Sequence, residues 1–272
     1  MKQIKIGVCQ WAFPLEGPYS CIVASQLGLE GVELELGEYE HNFPISNKMI
    51  QGIYREVRDE YGIEYPSIAV NALLKNSMNN EETTEKGKIA RLAIQRAVET
   101  ADALGIPVIQ LPSFIDGEIK SDEDFERTVD CLRYACGLVE GKNITIATEN
   151  LLSSNDNKRI LEKVDRPQMK IFFDLQNYSL FQGYNTQEML EDLAPYICEV
   201  HAKDGKEHMS GALLGTGDAG FFESVKILKK IGYSGWIYLE NYYDQYPLNS
   251  TGKDPFDLIK QDIKIIREAF AL

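Results

Sequence analysis

Ile144-Thr-Ile-Ala-Thr-Glu149 is a short run of β-forming residues that ends in a carboxylate, and the next such run, Lys170-Ile-Phe-Phe-Asp174, ends the same way. Runs of five or so residues, too short for helices and joined by longer amphipathic stretches, are the pattern of buried parallel strands linked by crossover helices. Working outward, the same unit recurs at Ile4–Cys9, Gly31–Leu36, Ser67–Ala72, Pro107–Leu111, Ile197–Ala202 and Trp236–Glu240, so that with Ile144–Glu149 and Lys170–Asp174 there are eight strand candidates. Helical spacing connects them: Leu92, Ala93, Val98 and Ala101 recur on one face of 89–104, and Phe125, Val129, Leu132 and Leu138 on one face of 123–139. Gly28-Leu-Glu-Gly31, Leu104-Gly-Ile-Pro107 and Ile231-Gly-Tyr-Ser-Gly235 punctuate the returns from helix to strand. Eight βα units predict an α/β fold, a closed (β/α)8 TIM barrel in which residues 1–272 form a single domain. No Gly-x-Gly-x-x-Gly follows the first strand, which argues against a dinucleotide-binding open sheet.

The chain has 272 residues, 44% of them apolar, enough for one large core. Its 28 Lys+Arg against 42 Asp+Glu give a net charge of −14, which repels a phosphate backbone and excludes nucleic acid as the expected partner. The apolar run at the start is too short for a signal-peptide core, and nowhere do about 18 apolar residues run together, so no membrane partner is expected. The five cysteines are scattered without Cys-x-x-Cys spacing and read as reduced thiols of a cytoplasmic protein.

In a parallel barrel the chemistry sits at the C-terminal ends of the strands. There the fifth strand presents Glu149, the sixth Asp174, the seventh His201 and the eighth Glu240. A single carboxylate at a strand end is commonly a cap or an ion-pair partner. Three of them crowded with an imidazole repel one another unless a cation joins them, and the set suits one divalent metal ion such as Mn2+, Mg2+, Co2+ or Zn2+.

These segments resemble the xylose isomerase-like TIM-barrel superfamily, which contains sugar epimerases and isomerases, inosose and dehydroshikimate dehydratases, and endonuclease IV. The resemblance spans the chain and rests on Gly31-Val-Glu-Leu, Ala147-Thr-Glu-Asn150, Phe172-Phe-Asp174, His201-Ala-Lys-Asp204, Gly215-Thr-Gly217 and Gly232-Tyr-Ser-Gly235 leading into Tyr238-Leu-Glu240. It implies that Glu149, Asp174, His201 and Glu240 hold one divalent ion and that Glu149 and Glu240 are also the catalytic acid/base pair. The implied reaction is proton abstraction next to a carbonyl, through an enediolate, on a small carbohydrate, free or phosphorylated. Return of the proton makes an isomerase or epimerase. Loss of a β-hydroxyl from a cyclic keto-polyol (the inosose or dehydroshikimate type) makes a dehydratase, and a non-catalytic sugar-binding barrel is a third reading. Endonuclease IV relatives need several further histidines, whereas this chain has three, His41, His201 and His208.

Further candidates surround the quartet. Many ketose 3-epimerases place a histidine three residues beyond the sixth-strand aspartate; here that position is Asn177, which binds a hydroxyl without titrating. Lys203 lies on the same strand face as His201 and is read either as a substrate contact or as an ion-pair partner of Glu199 or Asp204. Gln110, ending the fourth strand, is a hydroxyl-binding candidate, and Trp11 with Cys9 and Phe13 a candidate apolar wall for the sugar. Cys9 is read as a buried hydrophobe rather than a nucleophile, Glu33 as support for a neighbour, and Gly215-Thr-Gly217 as either a structural turn or a phosphate loop. Trp11, Tyr184 and Tyr243 are read as exposed aromatics, candidates for a homo-oligomer interface or a pocket cover.

Overall fold

The computed structural model describes residues 4–272; of the expected extent, residues 1–3 lie outside the described residues. Its strands are β1 (Ile4–Cys9), β2 (Gly31–Glu35), β3 (Ser67–Ala69), β4 (Val108–Pro112), β5 (Thr145–Glu149), β6 (Met169–Asp174), β7 (Ile197–Ala202) and β8 (Gly235–Leu239). They hydrogen-bond in sequence order into a closed parallel barrel, each followed by helical structure, as the alternation of the sequence predicts.

Every strand but one keeps its expected bounds to within one residue at each end. The third stops at Ala69 rather than Ala72, because Val70 leaves extended geometry (φ −105°, ψ 63°) and Asn71–Leu74 wind into a 3-10 turn. Val70 still donates its N–H to the Gln110 carbonyl at 3.0 Å, so the ladder runs one bond past the strand before the chain turns. The apolar run itself could not mark that turn, since Val70, Ala72 and Leu73 are all buried on either side of it.

The contacts divide the chain into two units. One comprises residues up to Glu33, Val57–Glu64 and Phe173–Leu272; the other comprises Leu34–Glu56 and Tyr65–Phe172. In the first, β1 lies between β2 and β8, with Cys9 beside Glu33 and Val8 beside Leu239, and β8 also pairs with β7, setting His201 beside Tyr238. In the second, β4 pairs with β3 and β5, with Gln110 beside Ala147 and Pro112 beside Glu149. The strands' apolar residues, among them Ile6, Val8, Leu34, Ile68, Ile109, Ile146, Phe172, Val200 and Leu239, are buried, each contributing roughly 1.5–3 kcal/mol of transfer free energy. Helix ends follow local chemistry: Ser121 and Asp124 form a reciprocal capping box at the start of Asp122–Leu138, and Gly105 at φ 72° closes Glu85–Leu104.

Two glycines are required by close approach. A Cβ on Gly7 would lie 2.6 Å from the Tyr238 ring and one on Gly31 2.6 Å from the Trp236 ring. These two rings are stacked, with centroids 6.0 Å apart, over the space the glycines leave. Replacement Gly7→Ala forces Tyr238 out of place, and we expect it to lower unfolding free energy by about 1–3 kcal/mol, read from the denaturant midpoint.

Candidate metal centre

Strand β7 carries Glu199, His201 and, one residue past its end, Lys203 at spacing two, the period that sends alternate side chains to one face. All three are buried. Glu199 accepts the Tyr238 hydroxyl at 2.9 Å. The His201 ring is held through Nε2, 2.6 Å from Glu33 Oε2, and its Nδ1 faces Glu240 Oε2 at 3.3 Å. Glu33 also accepts the Cys9 thiol at 3.5 Å. A carboxylate behind Nε2 draws the ring proton to that side and turns Nδ1 toward Glu240, the arrangement by which a second carboxylate fixes the tautomer and orientation of a ligating histidine.

Glu240 follows β8. Its Oε1 accepts the Trp11 indole N–H at 3.0 Å and its Oε2 accepts Lys203 Nζ at 2.7 Å. Burial pushes the Glu240 carboxyl up, but the charges of Lys203 and His201, with hydrogen bonds from Lys203 and Trp11, outweigh it and hold the group below the ordinary carboxylate range. Asp174 ends β6. Its Oδ1 accepts the backbone N–H groups of Gln176 (2.7 Å) and Asn177 (2.5 Å), and its Oδ2 lies 3.1 Å from Lys203 Nζ. Glu149 ends β5, where Gln110 Nε2 donates to its Oε2 at 2.5 Å.

One ligand atom each from Glu149, Asp174, His201 and Glu240 lies within 4.8 Å of the others, and all four residues are buried. The donor set is three carboxylates and an imidazole, which fits a hard or borderline divalent ion. The site's carboxylates, with Glu33 behind them, outnumber the cationic charge that Lys203 and His201 can carry, an imbalance such an ion corrects.

Residues 21–269 match the xylose isomerase-like TIM barrel family. The chain belongs to that family. Among relatives of this xylose isomerase-like barrel is the 2-epi-5-epi-valiolone 7-phosphate 2-epimerase of an Actinoplanes species, 27% identical over 227 residues, covering 83% of this chain and 82% of the relative. The fold matches D-psicose 3-epimerase from Clostridium cellulolyticum, solved with D-tagatose, at TM-score 0.78 and 15% identity over 98% of this chain and 99% of that one. It also matches the IOLI protein, solved with a zinc atom, at TM-score 0.77 and 15% identity over 98% of each chain.

Several expectations about this barrel are sharpened or corrected by the geometry. Lys203 pairs with Asp174 and Glu240 rather than with Glu199 or Asp204, because its side chain turns toward the ligand cluster. Trp11 is a hydrogen-bond donor to Glu240 as well as an aromatic edge 5.8 Å from the His201 ring. Cys9 and Phe13 are both buried, Phe13 against Phe256, and burial raises the Cys9 thiol well above its ordinary range, as befits a hydrophobe rather than a nucleophile. Glu33 has the supporting role expected of it. The Gly215-Thr-Gly217 turn is structural, since the N–H groups of Gly215 (2.8 Å) and Gly217 (3.1 Å) donate to the protein's own Asp204 carboxylate. Tyr243 is not exposed but fully buried, its hydroxyl on Asp262 at 2.9 Å.

Asp262, on the helix Pro255–Phe270, is the polar residue that inspection of motifs misses. Its signal was present: it lies four residues from both Leu258 and Ile266, inside that helix's buried stripe. Burial pushes its carboxyl up to about 6, against the lowering effect of hydrogen bonds from Leu214, Asn241 and Tyr243, and the charge of Asp204 adds to the rise. The folded protein therefore holds this proton more tightly than the unfolded chain. The resulting stabilisation is full below the ordinary value of 3.8 and is lost as pH rises through about 6. Relative to Asp262→Asn, unfolding free energy should fall by on the order of 3 kcal/mol between about pH 4 and about pH 7, measured by denaturant titration.

Proposed function

We propose that this barrel is a divalent-metal-dependent isomerase or epimerase of a small sugar or sugar phosphate, with Glu149, Asp174, His201 and Glu240 as the ligands. The observation that carries the reading is the convergence of those four buried groups within 4.8 Å. Its relationship to an epimerase at 27% identity, and its fold likeness to further epimerases, support it. A bound divalent ion supplies a Lewis acid for a carbonyl and its neighbouring hydroxyl.

The chain's own residues supply the rest. Glu240, kept ionised by Lys203, serves as a proton acceptor, and Glu149, its carboxylate plane fixed by Gln110, is its counterpart. One takes a proton from the carbon beside the carbonyl and the other returns one. Return to the opposite face of the same carbon is epimerisation; return to the neighbouring carbon is aldose–ketose isomerisation. Asn177, Lys203, Gln110 and Trp11 position the sugar, with the Trp11 indole as the apolar surface. Residues 1–272 act as one domain, in a reducing cytoplasm in keeping with the free cysteines.

The test is exchange of carbon-bound hydrogen. The Mn2+-loaded protein in deuterated water is given a panel of ketoses, their phosphates and an inosose, followed by NMR. Deuterium incorporation with a new sugar is the expected result. Exchange with water loss selects a dehydratase acting on a cyclic keto-polyol, and no exchange across the panel counts against both and favours a sugar-binding barrel.

A further inference from the structure

Behind the ligand cluster runs a second buried hydrogen-bonded chain that neither binds the ion nor faces the sugar in the reading above. It starts on the helix Pro255–Phe270, where Asp262 Oδ1 accepts the Leu214 N–H at 2.9 Å. The other oxygen, Oδ2, accepts the Asn241 amide at 2.8 Å and the Tyr243 hydroxyl at 2.9 Å. The opposite end of the Asn241 side chain, Oδ1, accepts the Asp204 backbone N–H at 2.9 Å. Asp204 gathers the following loop: its Oδ1 accepts Gly205 N–H (2.9 Å) and Ala219 N–H (3.1 Å), beside the two bonds from Gly215 and Gly217 to Oδ2. Asp204, Asn241, Tyr243 and Asp262 are each 0% exposed, so none of these bonds is exchanged for water at small cost.

The connectivity matters because of where the chain ends. Asn241 is the residue after Glu240, and Asp204 follows Lys203 and stands three beyond His201. An asparagine amide has a donor end and an acceptor end, and only one orientation serves both neighbours. Asp262, as a carboxylate, accepts and so draws the amide NH2, which leaves the carbonyl oxygen for the Asp204 N–H. Reversing the amide would set NH2 against N–H at one end and oxygen against carboxylate at the other. Asp262 thereby fixes the spacing between the ends of β7 and β8, where Glu240 N–H also meets the Ala202 carbonyl at 3.1 Å.

We propose that Asp262 is a positioning residue for the metal centre: through Asn241 and Asp204 it sets the placement of His201, Lys203 and Glu240. This rests on the metal-centre reading for its consequence, while its structural content does not need a metal.

The test compares Asp262→Asn with the double exchange Asn241→Asp/Asp262→Asn. The single change places an amide donor against the Asn241 NH2 and frustrates the chain. The double exchange rebuilds it with roles reversed: a carboxylate at 241 accepts the Asp204 N–H, the new amide at 262 and the Tyr243 hydroxyl, which already lies within hydrogen-bond reach of position 241, while the carbonyl of the amide at 262 accepts the Leu214 N–H. Two quantities are read, the ring resonances of His201 in metal-free protein, with exposed His41 and His208 as internal references, and the affinity for Mn2+. Asp262→Asn should shift the His201 resonances and weaken Mn2+ binding about 10–100-fold, the scale for outer partners of a metal site. The double exchange should return both toward wild type, and this holds as the deciding comparison if the single variant does not fold. The proposal is overturned if Asp262→Asn lowers thermal stability alone and leaves His201 and Mn2+ affinity unchanged, or if the double exchange restores neither. If wild-type protein binds no Mn2+, the metal reading fails, and the His201 resonances still decide the positioning role.

Discussion

Glu149→Gln should abolish turnover while leaving the fold intact. The substitution keeps the side chain's size and lets the amide oxygen continue to accept from Gln110 Nε2, so the bond seen at 2.5 Å has a replacement. It removes the negative charge and the basicity, and with them both a proposed ligand and one of the two proton-transfer groups. Loss of a general base alone costs roughly 10²–10⁴-fold in rate, and loss of one charged ligand adds to that. The expected result is therefore at least a hundredfold fall in kcat/KM on whichever substrate the exchange panel identifies, with weaker metal uptake and an unchanged circular dichroism spectrum. A fully active, fully metallated variant would remove Glu149 from the centre.

Lys203→Met should have the opposite separation of effects. The Lys203 ammonium is 2% exposed and lies between Asp174 Oδ2 at 3.1 Å and Glu240 Oε2 at 2.7 Å. Methionine fills similar volume but carries no charge, so the metal-free protein is left with two buried carboxylates lacking their shared cation. Breaking a buried ion pair from one side typically costs about 3–5 kcal/mol, because the remaining charge is uncompensated. We expect metal-free Lys203→Met to lose stability on that scale in denaturant titrations. Added Mn2+ should recover much of the loss, since the ion compensates the same carboxylates and binds only the folded form. Equal stability of variant and wild type without metal would mean that the lysine contributes no charge compensation to the cluster.

The parts of this molecule that were legible in its sequence are those governed by local periodicity and by position on a strand. Short apolar runs ending in Glu149, Asp174, His201 and Glu240 disclose both the barrel and the convergence of these four side chains, because a strand end in such a fold has a fixed address. Contacts made by long side chains were less legible. Lys203 could be placed on the face it shares with His201, but its choice of Asp174 and Glu240 over Glu199 and Asp204 depends on distances between strands. Trp11 likewise reads as an apolar surface until its indole N–H is seen on Glu240. Tyr243 and Asp262 were hidden differently: each looks like a surface residue by type, and they are buried because they satisfy one another. The turn at Val70 left no mark in the apolar run it interrupts.

The central claim is that four strand-end residues hold one divalent ion, and titration of chelator-treated protein with Mn2+, followed by calorimetry or the loss of the free-ion paramagnetic signal, tests it most directly. The account predicts saturation at one ion per chain for wild type and none for Asp174→Asn in a protein that remains folded. No uptake by wild type, or an undiminished single site in Asp174→Asn, would contradict it.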